Sequence, residues 1–178
     1  MRPWEPDDAG FLLDLESRWE TVRYLTPDPT IMTSLDEATA SIGRRRAVDH
    51  PVHGIWLITL AETGARLGNI LLKPIALTVG VSPPAPVEIG WHLHPDAYGR
   101  GYATEAAEAV LDDAAGRGLH DVIAVTDPRN APSQRVCRRL GFTERGFTRD
   151  YYDSDYLVFE RSFEGKETKA SDAAERPV

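Results

Sequence analysis

Apolar residues recur at helical spacing near the start of the chain. Phe11, Leu12, Leu15, Trp19 and Val22 fall on one face while Asp14, Glu16 and Arg18 lie between them, which predicts an amphipathic helix entered at Asp7 and Asp8. Ser34-Leu35-Asp36-Glu37 has the spacing of a capping box, where a hydroxyl and a carboxylate satisfy free backbone N–H groups, and predicts a second helix to about His50. From Ile55 the texture changes. Trp56 to Leu60, the turn Glu62-Thr63-Gly64 and the Ile- and Leu-rich run Leu67 to Leu77 predict a β-hairpin. Val79 to Pro86, with its prolines, reads as a loop leading into a strand over Val87 to Leu93. Thr104 to Arg117 places Ala106, Ala107, Val110, Leu111 and Ala114 on one helical face and ends at Gly116 and Gly118. Asp121 to Thr126 reads as a short buried strand, and Asn130, Pro132 and Ser133 open a helix that stops at Gly141. Phe142 to Thr148 and Tyr156 to Phe163 predict two closing strands around a turn at Asp150 to Asp155. Residues 1–163 therefore form one domain, and the polar residues 164–178 read as a disordered tail.

Composition narrows the function more than the fold. The 178 residues suit a single domain, and 42% hydrophobic with 27% charged content is ordinary for a globular chain. A net charge of −8 argues against a general attraction to nucleic acid or an anionic membrane and weakly favours an amine ligand. The single cysteine, Cys137, rules out an internal disulfide framework and a multi-thiolate zinc site, and suits a reducing cytoplasm. No run approaches the length of a membrane span, and the first residues lack the apolar stretch of a signal peptide, so a soluble cytoplasmic protein is expected.

The chemistry concentrates at Tyr98-Gly99-Arg100-Gly101-Tyr102-Ala103-Thr104-Glu105, between a predicted strand and a predicted helix. Two glycines there let the backbone approach a ligand and aim successive N–H groups at an anion. The spacing is neither that of a Walker loop nor that of a dinucleotide fingerprint, since Thr104 stands where the third small residue would be. A tight turn with no ligand remains the plain alternative.

Glu88-Ile89-Gly90-Trp91-His92-Leu93-His94-Pro95 followed by Tyr98 to Glu105 resembles the acetyl-coenzyme A core of GNAT N-acetyltransferases. Asn130-Ala131-Pro132-Ser133 through Arg139-Leu140-Gly141-Phe142 resembles a second block of that family, and both stand in the family's order. Within the family the chain looks most like the branch of ribosomal-protein N-terminal (Rim-type) acetyltransferases. The resemblance implies an α/β (α+β) GNAT fold, with a mixed, mostly antiparallel sheet of six to seven strands flanked by about four helices. Members of that branch usually begin with a strand before the position of Arg2-Pro3-Trp4, so this chain lacks part of that strand or starts within it.

The activity implied is transfer of an acetyl group from acetyl-CoA to a primary amine, on a protein N-terminus or a small molecule, by direct attack in a ternary complex, without a metal. The protein would act as a monomer or homodimer. The coenzyme positions implied are Trp91, His92 and Leu93 on the strand, Gly99, Arg100, Gly101, Tyr102, Ala103 and Thr104 in the loop, and Asn130 and Ser133 at the later helix. Glu88 is the catalytic base by the same comparison, against a salt-bridged strand residue as the plain reading. His92 and His94 alternate with Glu88 and should share its face; strand histidines more often pack or face solvent. Cys137 stands where many members place a tyrosine acid, and a lone helical cysteine is usually packed and inert. That departure motivates the alternative of a non-catalytic CoA-binding regulatory module. Arg44-Arg45-Arg46 reads as a solvated helix face, and Tyr151, Tyr152 and Tyr156 as hairpin surface.

Overall fold

The computed structural model describes residues 1–163; the predicted tail lies outside the described residues. Seven strands form one sheet: β1 (Arg2–Pro3), β2 (Gly54–Thr59), β3 (Arg66–Pro74), β4 (Val87–Leu93), β5 (Asp121–Thr126), β6 (Thr143–Thr148) and β7 (Tyr156–Ser162). Their spatial order is β1-β2-β3-β4-β5-β7-β6, antiparallel throughout except for the parallel contact of β4 with β5. Five helices accompany it: α1 (Ala9–Glu16), α2 (Trp19–Val22), α3 (Leu35–Arg46), α4 (Tyr102–Gly116) and α5 (Ala131–Arg139).

The alternation of strand side chains divides the interior into two layers. On one face Ile70, Leu72, Ile89, Val122 and Phe159 pack against Ala107, Val110 and Leu111 of α4 and against Cys137 and Leu140 at α5. On the other, Leu57 packs with Trp4, Leu12, Leu15, Ala38 and Ile42, under α1 and α3. Leu111 is fully buried, so its truncation to alanine would cost about 2–5 kcal/mol, comparable to much of a domain's net stability.

Two helical expectations need correction. The first helix is not continuous to Val22: it stops at Glu16, Arg18 is extended, and a single turn follows. The Glu16 carbonyl instead accepts the N–H of Met32 at 2.9 Å, and Ser17 Oγ donates to the Asp14 carbonyl, so local bonds displace the helical ladder. Trp19, assigned to the apolar face, is consequently 53% exposed. The second helix is capped by Ser34 as its spacing predicts, but ends at Arg46 rather than near His50. The hairpin strand likewise ends at Pro74, short of Leu77, which instead bridges to Tyr151. Among the described residues no helix is long and apolar enough to cross a membrane.

Candidate active site

β4 and β5 pair at one register position, Glu88 opposite Ile123, whereas β3 and β4 pair continuously from Gly68–Leu93 to Pro74–Val87. Beyond Glu88 the two parallel strands diverge, opening a crevice at their C-terminal ends. That is where α/β sheets place ligands, because backbone groups there lack a neighbouring strand. A cleft of about 470 Å³ occupies it, walled by Trp91, His92 and Leu93 of β4, the α4 entry from Tyr98, the start of α5, and α2. Its volume is that of a small-molecule site. A slightly larger hollow, about 510 Å³, lies at the β1–β2 edge beside His50 and His53 and holds none of the glycine-loop residues.

The anion-binding end follows from backbone geometry. Gly99 and Gly101 sit at φ +74° and +85°, left-handed conformations that favour glycine; no neighbouring atom would meet a Cβ, so conformation rather than space calls for glycine. The first α-helical bond of α4 runs from Glu105 N–H to the Gly101 carbonyl at 3.1 Å, and no side chain caps the helix. The N–H groups of Tyr102, Ala103 and Thr104 thus stand free at a positive helix end. Gly99, Gly101, Tyr102, Ala103 and Thr104 all line the cleft. Arg100 is exposed and does not; the arginines lining the cleft are Arg23, Arg135 and Arg139. Across from them Asn130 caps α5, its carboxamide oxygen accepting the Ser133 N–H at 3.2 Å, and both residues line the cleft. A phosphate-bearing ligand with an amide-containing arm fits this donor set: free N–H groups and arginines at one end, and an unpaired strand edge along the side.

Glu88, Gly90 and His92 share one face of β4, with Lys73, Leu71 and Asn69 opposite them on β3. His92 lines the cleft. Its Nε2 lies 3.1 Å from Glu16 Oε1, which also receives Arg45 Nη2 at 2.5 Å. The three side chains are 11%, 15% and 12% exposed respectively. Burial works to raise the Glu16 carboxyl, but the bonds and charges of His92 and Arg45 outweigh it and hold it below its ordinary range. Arg45 is therefore not part of a solvated face; burial lowers it from the ordinary arginine value, while Glu16 opposes the shift. His94 lies beyond the strand, where Nδ1 accepts the Asp96 N–H at 3.3 Å and caps the turn Pro95–Ala97; its ring lies tilted against Phe11, with centroids 6.3 Å apart.

Glu88 is buried but does not line the cleft. Its Oε1 accepts from Lys73 Nζ at 2.9 Å and from the Tyr152 hydroxyl. Tyr152 and Asp153 occupy the left-handed region at φ 55° and 54°, and the turn is tied to the segment after β3 by Tyr152 N–H to the Ala76 carbonyl and Thr78 N–H to the Asp150 carbonyl. Burial and the Glu88 charge push the Tyr152 phenol well above its ordinary value, keeping it a donor. Tyr152 and the buried Tyr156 are therefore not mere hairpin surface. Cys137 is fully buried in the core, and desolvation pushes its thiol up to about 12. Among the described residues no cluster of side chains could hold a metal ion.

Residues 1–143 match the family model of the acetyltransferase (GNAT) domain. An uncharacterized N-acetyltransferase p20 of Bacillus licheniformis is 34% identical over 155 residues, covering 85% of this chain and 82% of the relative. A shorter match, 43% identical over 61 residues, links the chain to uncharacterized N-acetyltransferase YnaD of Bacillus subtilis, covering 34% of this chain and 36% of that one. Among solved structures, RimL, a ribosomal-protein alpha-N-acetyltransferase in complex with coenzyme A, aligns with a TM-score of 0.70 at 18% identity, over 90% of this chain and 92% of its own.

Proposed function

Because the chain belongs to the GNAT acetyltransferase family, we propose that it moves an acetyl group from acetyl-CoA to a primary amine, on a protein N-terminus or a small molecule, by direct attack in a ternary complex. The observation that carries this reading is the divergence of β4 from β5 beside a glycine-opened helix start with three free N–H groups. Those N–H groups, with Arg135 and Arg139, receive the pyrophosphate, while the open edge at Trp91 to Leu93 pairs with the pantetheine amides. The same edge offers an N–H to the thioester oxygen. A donor aimed at a developing oxyanion is worth about 2.7–4 kcal/mol, so this backbone contributes to the chemistry itself. The Asn130 carboxamide NH₂, left over from capping, and Ser133 hold the arm from the other side.

Two experiments test the reading. Calorimetry with coenzyme A should give low-micromolar or tighter binding that Gly101→Glu abolishes; no binding by the wild type would remove the proposal. A thiol-release screen over N-terminal peptides, polyamines, aminoglycosides and amino acids should show amine-dependent turnover. Binding without turnover on any amine would instead mean a non-catalytic coenzyme-binding module.

A further inference from the structure

We propose that His92 is the general base of this site, with Glu16 and Arg45 as its positioning residues. The inference rests on the acetyl-transfer reading. Four observations converge on it. His92 lines the cleft whereas Glu88 does not. Glu16, ionised beside Arg45, accepts from His92 Nε2 at 3.1 Å, which places the ring proton on Nε2 and leaves Nδ1 as a lone-pair acceptor. Nδ1 has no hydrogen-bond partner among the described residues and is not among the fully buried polar atoms left unsatisfied. Glu88 Oε1, by contrast, is already engaged by both Lys73 and Tyr152. A carboxylate that fixes one imidazole nitrogen so that the other can take a proton is the arrangement of catalytic dyads on unrelated folds.

An ammonium group in the cleft gives one proton to His92 Nδ1. The freed nitrogen pair forms the C–N bond at the thioester carbon, the C–S bond breaks with its electrons on sulfur, and a second nitrogen proton reaches that sulfur through water. Amide and free thiol result, and His92 returns its proton to solvent. The imidazolium formed meanwhile is offset by Glu16, which a buried arginine alone would not do. The charged groups around His92 are Glu16 from α1, Arg45 from α3, Glu20 from α2 and Arg23 at its C-cap, and Arg135 and Arg139 across the cleft; β3 contributes the neutral Asn69.

The test compares the pH dependence of kcat/KM for the amine in wild type, His92→Gln, Glu16→Gln and Glu88→Gln, with coenzyme A affinity measured in each. His92→Gln should lower kcat by about 10²-fold or more, leave coenzyme affinity within about twofold, and lose the acidic limb of the profile; exogenous imidazole should restore turnover to His92→Ala. Glu16→Gln should keep the limb but move it to lower pH, and Glu88→Gln should keep it. If His92→Gln no longer binds coenzyme, imidazole rescue and the Glu16→Gln limb decide the matter. An intact limb and near-wild-type turnover in His92→Gln overturns the proposal, as does a limb lost only in Glu88→Gln. Wild-type turnover on no amine would instead remove the acetyl-transfer reading, and this base with it.

Discussion

Replacing Asp8 by asparagine probes how the N-terminal segment holds α1, and with it Glu16, over the sheet. The Asp8 side chain is fully buried and accepts four hydrogen bonds: from Arg2 Nη1 and Nη2 at 2.7 and 2.8 Å, from Arg66 Nε at 2.6 Å, and from Glu5 N–H at 2.9 Å. Burial alone would raise its carboxyl, yet the bonds from Arg2, Glu5 and Arg66 bring it down from 3.8 to about 2. At about 1.4 kcal/mol per unit, this depression corresponds to about 2 kcal/mol of folding stability. The sign follows from the depressed value. The contribution is complete well above 3.8, falls as pH drops through 3.8 towards 2, and vanishes below both. Asp8→Asn should therefore cost about 2 kcal/mol at pH 7, read as a fall of about 1 M in the urea midpoint for a slope of about 2 kcal/mol/M. At pH 3 about half of that difference should remain. A cost that stays constant from pH 7 to pH 3, or one below about 0.5 kcal/mol at pH 7, would refute the assignment of Asp8 as an ionised latch.

Three further outcomes follow from the same geometry. Gly101→Ala forces a Cβ into φ +85° and should cost about 1–2 kcal/mol in thermal or urea unfolding, with weaker coenzyme binding by calorimetry; unchanged affinity would detach the α4 entry from the ligand. Cys137, fully buried with its thiol raised to about 12, should resist a thiol-specific disulfide reagent at pH 8 and react only along the urea unfolding curve; prompt labelling of the native protein would contradict its packing. Tyr152→Phe removes one donor from Glu88 Oε1 while Lys73 stays; a loss of about 1 kcal/mol is expected by urea denaturation, and a more stable variant would contradict the bond.

What could be read from the chain was whatever chemistry stays local. Gly99 and Gly101 signalled a backbone that must turn left-handed before a helix, and the structure has both at positive φ. Ser34 and Asn130 signalled caps, and each accepts the N–H three residues on. The helix face Ala106, Ala107, Val110, Leu111 and Ala114 follows from a 3.6-residue period, and all five are buried. Contacts between residues far apart left no such mark. Arg45 stands between two other arginines and reads as solvated, yet it reaches Glu16, 29 residues earlier, which in turn meets His92, 76 residues later. Tyr152 reaches Glu88 across 64 residues, through a turn whose left-handed backbone no tyrosine advertises. The cleft arginines Arg135 and Arg139 were hidden for another reason: helical period gave them a face, but not what that face looks upon.

That β4 and β5 pair at only one register position has a mechanical meaning. β1 to β4 form one plate and β5 to β7 another, joined in the sheet by little more than a rivet, with the α4 and α5 layer as backing. A coenzyme arm bonded to the open edge of β4 would then serve as a missing strand along the seam, and its arrival should stiffen the molecule as well as fill it. Amide protons along the open edge of β4 should exchange quickly with deuterium in the free protein and slow markedly with coenzyme A, while those of the β2–β3 hairpin change little. If protection does not rise at the seam when coenzyme binds, the plates are held together by the helices alone.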